Sequence, residues 1–151
     1  MKIFAGGLFG KIGTLLLSLL AFIWTMPNTL IGLFVGIVLT FAWPKWKYGM
    51  LIFSSGKGIS NTVRKFGTHA ITYGYAVIFW EPQFAEDRRY LAHEAHHVKQ
   101  YKMLGPLFLP VYAFFLILSK GSQGPCHLLE KTAYKKMEEH NLIKSAEDDI
   151  N

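Results

Sequence analysis

His93-Glu94-Ala95-His96-His97 is the stretch whose reading decides the fold. On an α-helix at 100° per residue, His93 and His97 fall about 40° apart on one face, so two imidazoles can converge on one metal ion. Glu94 lies beside that stripe. In this H-E-x-x-H spacing the paired histidines hold Zn²⁺ and the intervening glutamate accepts a proton from an activated water. His96 points about 100° from His97 and roughly 160° from Glu94, which makes it a solvent or packing histidine. Gln100 shares the face of Tyr90, His93, His97 and Leu104. It is placed either to orient a ligand or contact substrate, or to serve as a capping or core-edge amide.

Working outward, Pro82 and the acidic Glu86 and Asp87 supply helix-start chemistry, and Gly105-Pro106 a stop. The helix is therefore expected over residues 86–104, with the motif in its rigid middle. Residues 68–80 are rich in β-branched and aromatic side chains and are expected to form the main strand, with Gly74 marking a bulge or a close backbone approach. Met50-Leu51-Ile52-Phe53 reads as a shorter strand, ended by the turn formers Ser54-Ser55-Gly56-Lys57-Gly58. Gly56-Lys57-Gly58 lacks phosphate-loop spacing and reads as a plain turn.

Two histidines and a water do not complete a tetrahedral catalytic site, so a third protein ligand is needed. Glu130 is the candidate, in a segment of good helix formers that follows Gly124-Pro125 and is expected to run to about His140. His127, three residues earlier on the same face, competes as ligand or supporting partner, and Cys126 is a more remote choice. Two imidazoles and a carboxylate suit Zn²⁺, although the same triad with open positions also holds Fe(II). Tyr73, Tyr75 and His69 are further candidates for stabilising an oxyanion.

The chain as a whole is apolar and basic. Its 151 residues carry a formal charge of +6 and are 51% hydrophobic. No Lys/Arg cluster with interleaved aromatics forms a nucleic-acid-reading motif, so the basic balance points to a phospholipid surface. The single cysteine excludes an intrachain disulfide. Residues 12–43 contain no charged side chain, and Pro27-Asn28 interrupts them near the midpoint. A helical hairpin is expected, with arms at 12–26 and 29–43, each reaching about 22 Å and so re-entrant or only thinly spanning. Lys2 and Lys11 precede it and Lys45 and Lys47 follow it, which places both ends in the cytoplasm. A secretory signal peptide is the rival reading, but Ala-x-Ala cleavage chemistry is missing. Trp24, Trp43 and Trp46 are either interfacial anchors or core residues. Residues 107–119 are too short for a span at about 20 residues and are expected as a buried or interfacial helix. Residues 142–151 read as a frayed acidic tail.

The H-E-x-x-H-x-x-Q run, the following Gly105-Pro106-Leu107-Phe108 and the later E-x-x-A-Tyr at Glu130 to Tyr134 resemble small bacterial membrane-associated zinc metallopeptidases of the gluzincin type. The resemblance extends from Pro27-Asn28 to Tyr134, and only the histidine motif in it is specific. It implies an α+β fold: the N-terminal apolar hairpin (1–47), a small zincin-like domain (48–141) with a short β-sheet packed on the H-E-x-x-H helix and a Glu-bearing helix, and the acidic tail (142–151). It further implies His93, His97 and Glu130 as Zn²⁺ ligands and Glu94 as the general base of peptide hydrolysis. An edge strand would pair with extended substrate, here Ile71-Thr72-Tyr73-Gly74-Tyr75, unless that segment is an ordinary core strand. The expected partners are a peptide or protein substrate and a lipid bilayer, not nucleic acid. The expected location is a bacterial inner membrane, with the catalytic part cytoplasmic. The sequence departs from many gluzincins four residues after the glutamate, where an acid is replaced by Tyr134, whose phenol could bond the ligand or an oxyanion or pack between helices. Glu86, Asp87, Arg88, Arg89 and Lys99 make the motif helix too charged to cross lipid cheaply, so the site is expected beside the bilayer. The alternatives are a non-catalytic, metal-stabilised membrane or interaction protein and a metal enzyme other than a peptidase.

Overall fold

The computed structural model describes residues 8–54, 69–121 and 127–148. Helix α1 spans Leu8–Thr40 and leads into strands β1 (Lys45–Lys47) and β2 (Met50–Phe53). Strands β3 (Ala70–Tyr73) and β4 (Ala76–Phe79) follow, then a 3-10 turn at Pro82–Ala85. Helix α2 (Arg88–Leu104), a second 3-10 turn (Gly105–Leu107), α3 (Phe108–Leu118) and α4 (Leu128–Asp148) complete the order. Residues 55–58 of the expected turn, the start of the expected main strand and Cys126 lie outside the described residues.

The four strands form one mixed sheet in the order β1-β2-β4-β3, with β2 parallel to β4 and the other pairs antiparallel. The expected single strand over 68–80 is two strands, because the chain reverses at Gly74-Tyr75. Gly74 takes φ 62° at the first central position of a two-residue turn, which a β-carbon disfavours. The close backbone approach expected there is also present: a β-carbon on Gly74 would lie 2.3 Å from the Thr29 hydroxyl oxygen.

Both faces of the sheet are covered. Met50, Ile52, Val77 and Phe79 pack with Leu91 and Val98 of α2. Phe53, Ala76, Ile78 and Trp80 pack with Leu33, Val35 and Leu39 of α1. β4 sits at the centre, and all four of its residues are buried, as a continuous apolar run flanked on both faces should be.

The apolar N-terminal segment is one helix and not a hairpin. Proline removes one donor from the helical ladder, but the turn signal at Pro27-Asn28 is overridden by tertiary bonds. Asn28 Nδ2 donates to Gly105 O at 2.7 Å; Thr29 Oγ1 donates to Thr25 O and accepts from Tyr75 N at 3.1 Å. A seam of small residues brings the helix close: a β-carbon on Gly32 would meet Ala76 and Tyr73 at 2.7 Å, and one on Gly36 the Phe53 ring at 2.6 Å. The single helix removes the premise that both ends lie on one side of a membrane.

The two halves of α1 differ. From Thr25 onward one face is buried in the domain, whereas between Lys11 and Trp24 every residue except the half-buried Gly13 and Ala21 is exposed. Trp43 and Trp46 are exposed too, at 83% and 60%, so neither is a core residue. Residues 10–40 and 88–118 each form a stretch long and apolar enough to cross a membrane. Of the buried and interfacial alternatives for 107–119, burial holds in α3 only for Phe108, and Phe114, Ile117 and Leu118 are exposed. The expected acidic tail is helical as far as Asp148, in continuation of α4.

Candidate metal centre

α2 begins at Asp87, whose side chain accepts a hydrogen bond from Arg89 N at 2.9 Å, an N-cap that satisfies one of the helix's unpaired donors. It ends at Gly105, which has φ 54° and donates its N–H to Tyr101 O. Between these ends His93, Glu94, His97, Gln100 and Tyr101 share the buried face. α4 delivers Glu130 from its first turn, where the helix dipole favours a carboxylate.

Three atoms meet. His93 Nε2 and His97 Nε2 are 3.2 Å apart, and Glu130 Oε2 lies 3.3 Å from the first and 3.4 Å from the second. A tetrahedral ion with bonds of about 2.0–2.1 Å separates its ligand atoms by about 3.3–3.4 Å. The observed triangle has those dimensions, and all three residues are buried, so His93, His97 and Glu130 form a group that could hold a metal ion.

The surrounding hydrogen bonds fit the same role. Gln100 Nε2 donates to Leu129 O and to Thr132 Oγ1, both at 3.0 Å, which turns its carbonyl oxygen toward His97 Nδ1 at 2.9 Å. His97 therefore donates from Nδ1 and presents Nε2 to the cluster. Gln100 thus fixes the orientation of the His97 ring and also ties α2 to α4. Tyr112 on α3 donates to Glu130 Oε1 at 2.7 Å, leaving Oε2 for the cluster.

His127 does not join the cluster. Its Nε2 donates to Tyr112 O at 3.1 Å and its Nδ1 accepts from Glu130 N at 3.4 Å, so both ring nitrogens are used and the ring caps α4 beneath Glu130. His96 faces away and pairs with Thr132 Oγ1. His93 Nδ1 is buried without a partner among the described residues.

Without a metal the cluster is an ion pair. Burial disfavours the His97 charge, but the Glu130 hydrogen bond and the nearby Glu94 and Glu130 charges outweigh it and raise the imidazole to about 9. Burial would likewise raise Glu130, yet the bonds from His93 and His97, the His97 charge and Tyr112 hold its carboxyl well below the usual carboxylate range.

Glu94 stands outside the triangle, 5% exposed, and its Oε2 accepts from Thr72 Oγ1 of β3 at 2.6 Å. Tyr101 Oη donates to Thr72 O at 3.0 Å, so two hydrogen bonds tie the edge strand β3 to the motif helix. A cavity of about 800 Å³ opens beside the cluster, lined by His93, Glu94, His97 and Glu130 together with Thr72, Tyr112 and Tyr134. Of the oxyanion candidates, His69 and Tyr73 line this cavity, and Tyr75 packs instead near Phe22, Trp46 and Lys102 at the hairpin tip. Tyr134 sets its ring edge-on to His93, centroids 4.9 Å apart.

Sequence reasoning missed Tyr112, Thr72 and Tyr101. Tyr112 sits in a run of aromatic and aliphatic residues with no polar pattern to single it out, and Thr72 reads as one β-branched residue among several.

The sequence model of one family, the eCIS core domain, matches residues 53–105. That match covers about a third of the chain, from the end of β2 through α2, and so includes both histidines and stops short of Glu130. No curated protein and no solved structure matches the chain.

Proposed function

We propose that this chain is a membrane-seated zinc metallopeptidase in which Glu94 is the general base and His93, His97 and Glu130 hold the metal. The observation that carries the reading is the placement of a buried carboxylate, a three-ligand cluster and an edge strand around one cavity. Zinc, when bound, would supply Lewis acidity that lowers the pKa of a water toward about 7 and polarises the scissile carbonyl.

Glu94 accepts the proton of the attacking water on its carboxylate and returns it to the leaving amine. Thr72 holds one of its oxygens, and because Thr72 belongs to β3, the strand that aligns a peptide is also the strand that aims the base. The outer edge of β3 pairs with an extended peptide through backbone groups, an arrangement that fixes a chain without reading its sequence. Tyr134, beside His93 at the cavity wall, donates to the developing oxyanion.

The apolar half of α1 supports membrane seating. A partner protein would cover one face of such a helix, whereas lipid surrounds all of it, which suits the exposure on nearly all sides from Lys11 to Trp24. Phe22, Trp46 and Lys102 gather around Tyr75 at the level where α1 leaves the domain, a combination of aromatic and basic side chains suited to the headgroup region.

The test compares zinc content and hydrolysis of an unfolded protein such as casein in the native chain and in Glu94→Gln. Retained zinc with lost hydrolysis supports the reading. Hydrolysis that survives removes Glu94 from its role, and a native chain that binds zinc and cleaves nothing favours a metal-stabilised membrane protein without turnover.

A further inference from the structure

The cavity beside the cluster continues past β3 to the other side of the sheet. One end is walled by His93, Glu94 and His97, and the other by Val35 and Leu39 of α1 with Ile71 and Trp80. The register of the hairpin explains how one strand borders both ends. Trp80 N donates to His69 O, so residues 69, 71 and 73 bond toward β4, and the backbone groups of Ala70 and Thr72 turn to the outer edge. The side chains alternate as well: Thr72 reaches α2, while Ile71 and Tyr73 pack on the α1 face.

A peptide laid along this edge inherits the same alternation. When one of its residues faces the cluster, its neighbours face α1. The backbone ladder available to it is short, since β3 has four residues and the outward carbonyl of Thr72 is already taken by Tyr101. Side-chain burial must then carry much of the recognition.

We propose that Val35, Leu39, Ile71 and Trp80 form an apolar side-chain subsite, so that the ligand is an extended peptide bearing a large aliphatic or aromatic residue next to the one held at the metal. The proposal rests on the peptidase reading for the position of the scissile bond. It assigns α1 a second task, because the helix that enters lipid with its first half walls the substrate site with its second.

The experiment uses the full chain loaded with zinc in phospholipid nanodiscs. The probes are tripeptide hydroxamates that differ at one side chain (Gly, Ala, Leu or Phe) and octyl hydroxamate, which has an alkyl chain and no peptide bond. Affinities are read by competition with a fluorescent hydroxamate. The leucyl peptide is expected to bind at least about tenfold tighter than the glycyl one at the position facing α1. Leu39→Ala should shift the preference from Leu toward Phe, and Val35→Phe should reduce the Leu-to-Gly ratio by filling the space. The ratio is insensitive to a general loss of folded protein. Equal affinities across side chains, octyl hydroxamate binding as tightly as the leucyl peptide, or no hydroxamate binding at all would overturn the subsite. Side-chain preference without cleavage of casein by the native chain would sink the enzymatic reading alone, and cleavage without preference would sink the subsite alone.

Discussion

Tyr112 Oη lies 2.7 Å from Glu130 Oε1 and donates its proton there, so that the carboxylate turns its other oxygen to the two imidazoles. The two residues come from different helices, and the bond fixes the member of the cluster that α4 supplies. Tyr112→Phe removes it and leaves the ring packed against His127 and Phe108. Partners of this kind are worth about 10–100-fold in metal affinity. A loss in that range is expected in zinc competition against a chromophoric chelator, with the fold unchanged by circular dichroism.

Metal binding should depend on pH in a definite direction. The metal must displace the proton held on His97, whose ordinary value of 6.5 is raised to about 9 in the metal-free cluster. Zinc affinity is expected to rise about tenfold per pH unit up to about 9 and to level off above it, which titration calorimetry in several buffers can follow together with the released proton. For the metal-free protein the signs are opposite for the two partners. The raised His97 contributes stability that is fully present below 6.5 and lost as pH rises through about 9. The lowered Glu130 contributes stability present above 4.5 and lost as pH falls below it. The Tm of the metal-free protein should therefore peak between those two ordinary values.

Asn28→Leu tests whether the middle of α1 is docked or merely adjacent. The substitution improves the helix for lipid but leaves Gly105 O without its 2.7 Å donor at a site that is 3% exposed. Gly105 O keeps its bond from Phe108 N, so the cost is that of one lost buried hydrogen bond, about 0.5–1.5 kcal/mol. Urea unfolding monitored by tryptophan fluorescence should show a lower midpoint, and a hydrophobic gain in stability would speak against the docking bond.

Leu16→Glu with Leu20→Glu tests the other half of the same helix. These side chains are 54% and 62% exposed and touch no part of the core. Zinc content and far-ultraviolet circular dichroism should remain as in the native chain. Co-sedimentation with liposomes should fall steeply, since a carboxylate placed at a lipid-facing helix position costs about 2.5–3.5 kcal/mol.

The local chemistry of the motif helix was legible in the residues. Asp87 and Gly105 bound it, and the 40° offset of His93 and His97 predicts the pair that the structure brings to 3.2 Å. Glu130 could be chosen because few side chains downstream can ligate a metal, but its competition with His127 could not be settled by spacing. That depended on which ring nitrogens were occupied, by Tyr112 O and Glu130 N. The hairpin expectation failed where a local signal met distant partners: Asn28 reads as a turn former and serves as a donor to a residue 77 positions away. Gly74 was legible in part: the close backbone approach expected there is made to Thr29, but the reversal of the chain shows only in the pairing of Tyr73 with Ala76.

α1 covers one face of the sheet with its second half, while among the described residues its stretch from Lys11 to Trp24 is exposed except at the half-buried Gly13 and Ala21. Clipping the polypeptide after Thr40 would strip the sheet of one covering and open the far end of the cavity that Val35 and Leu39 close.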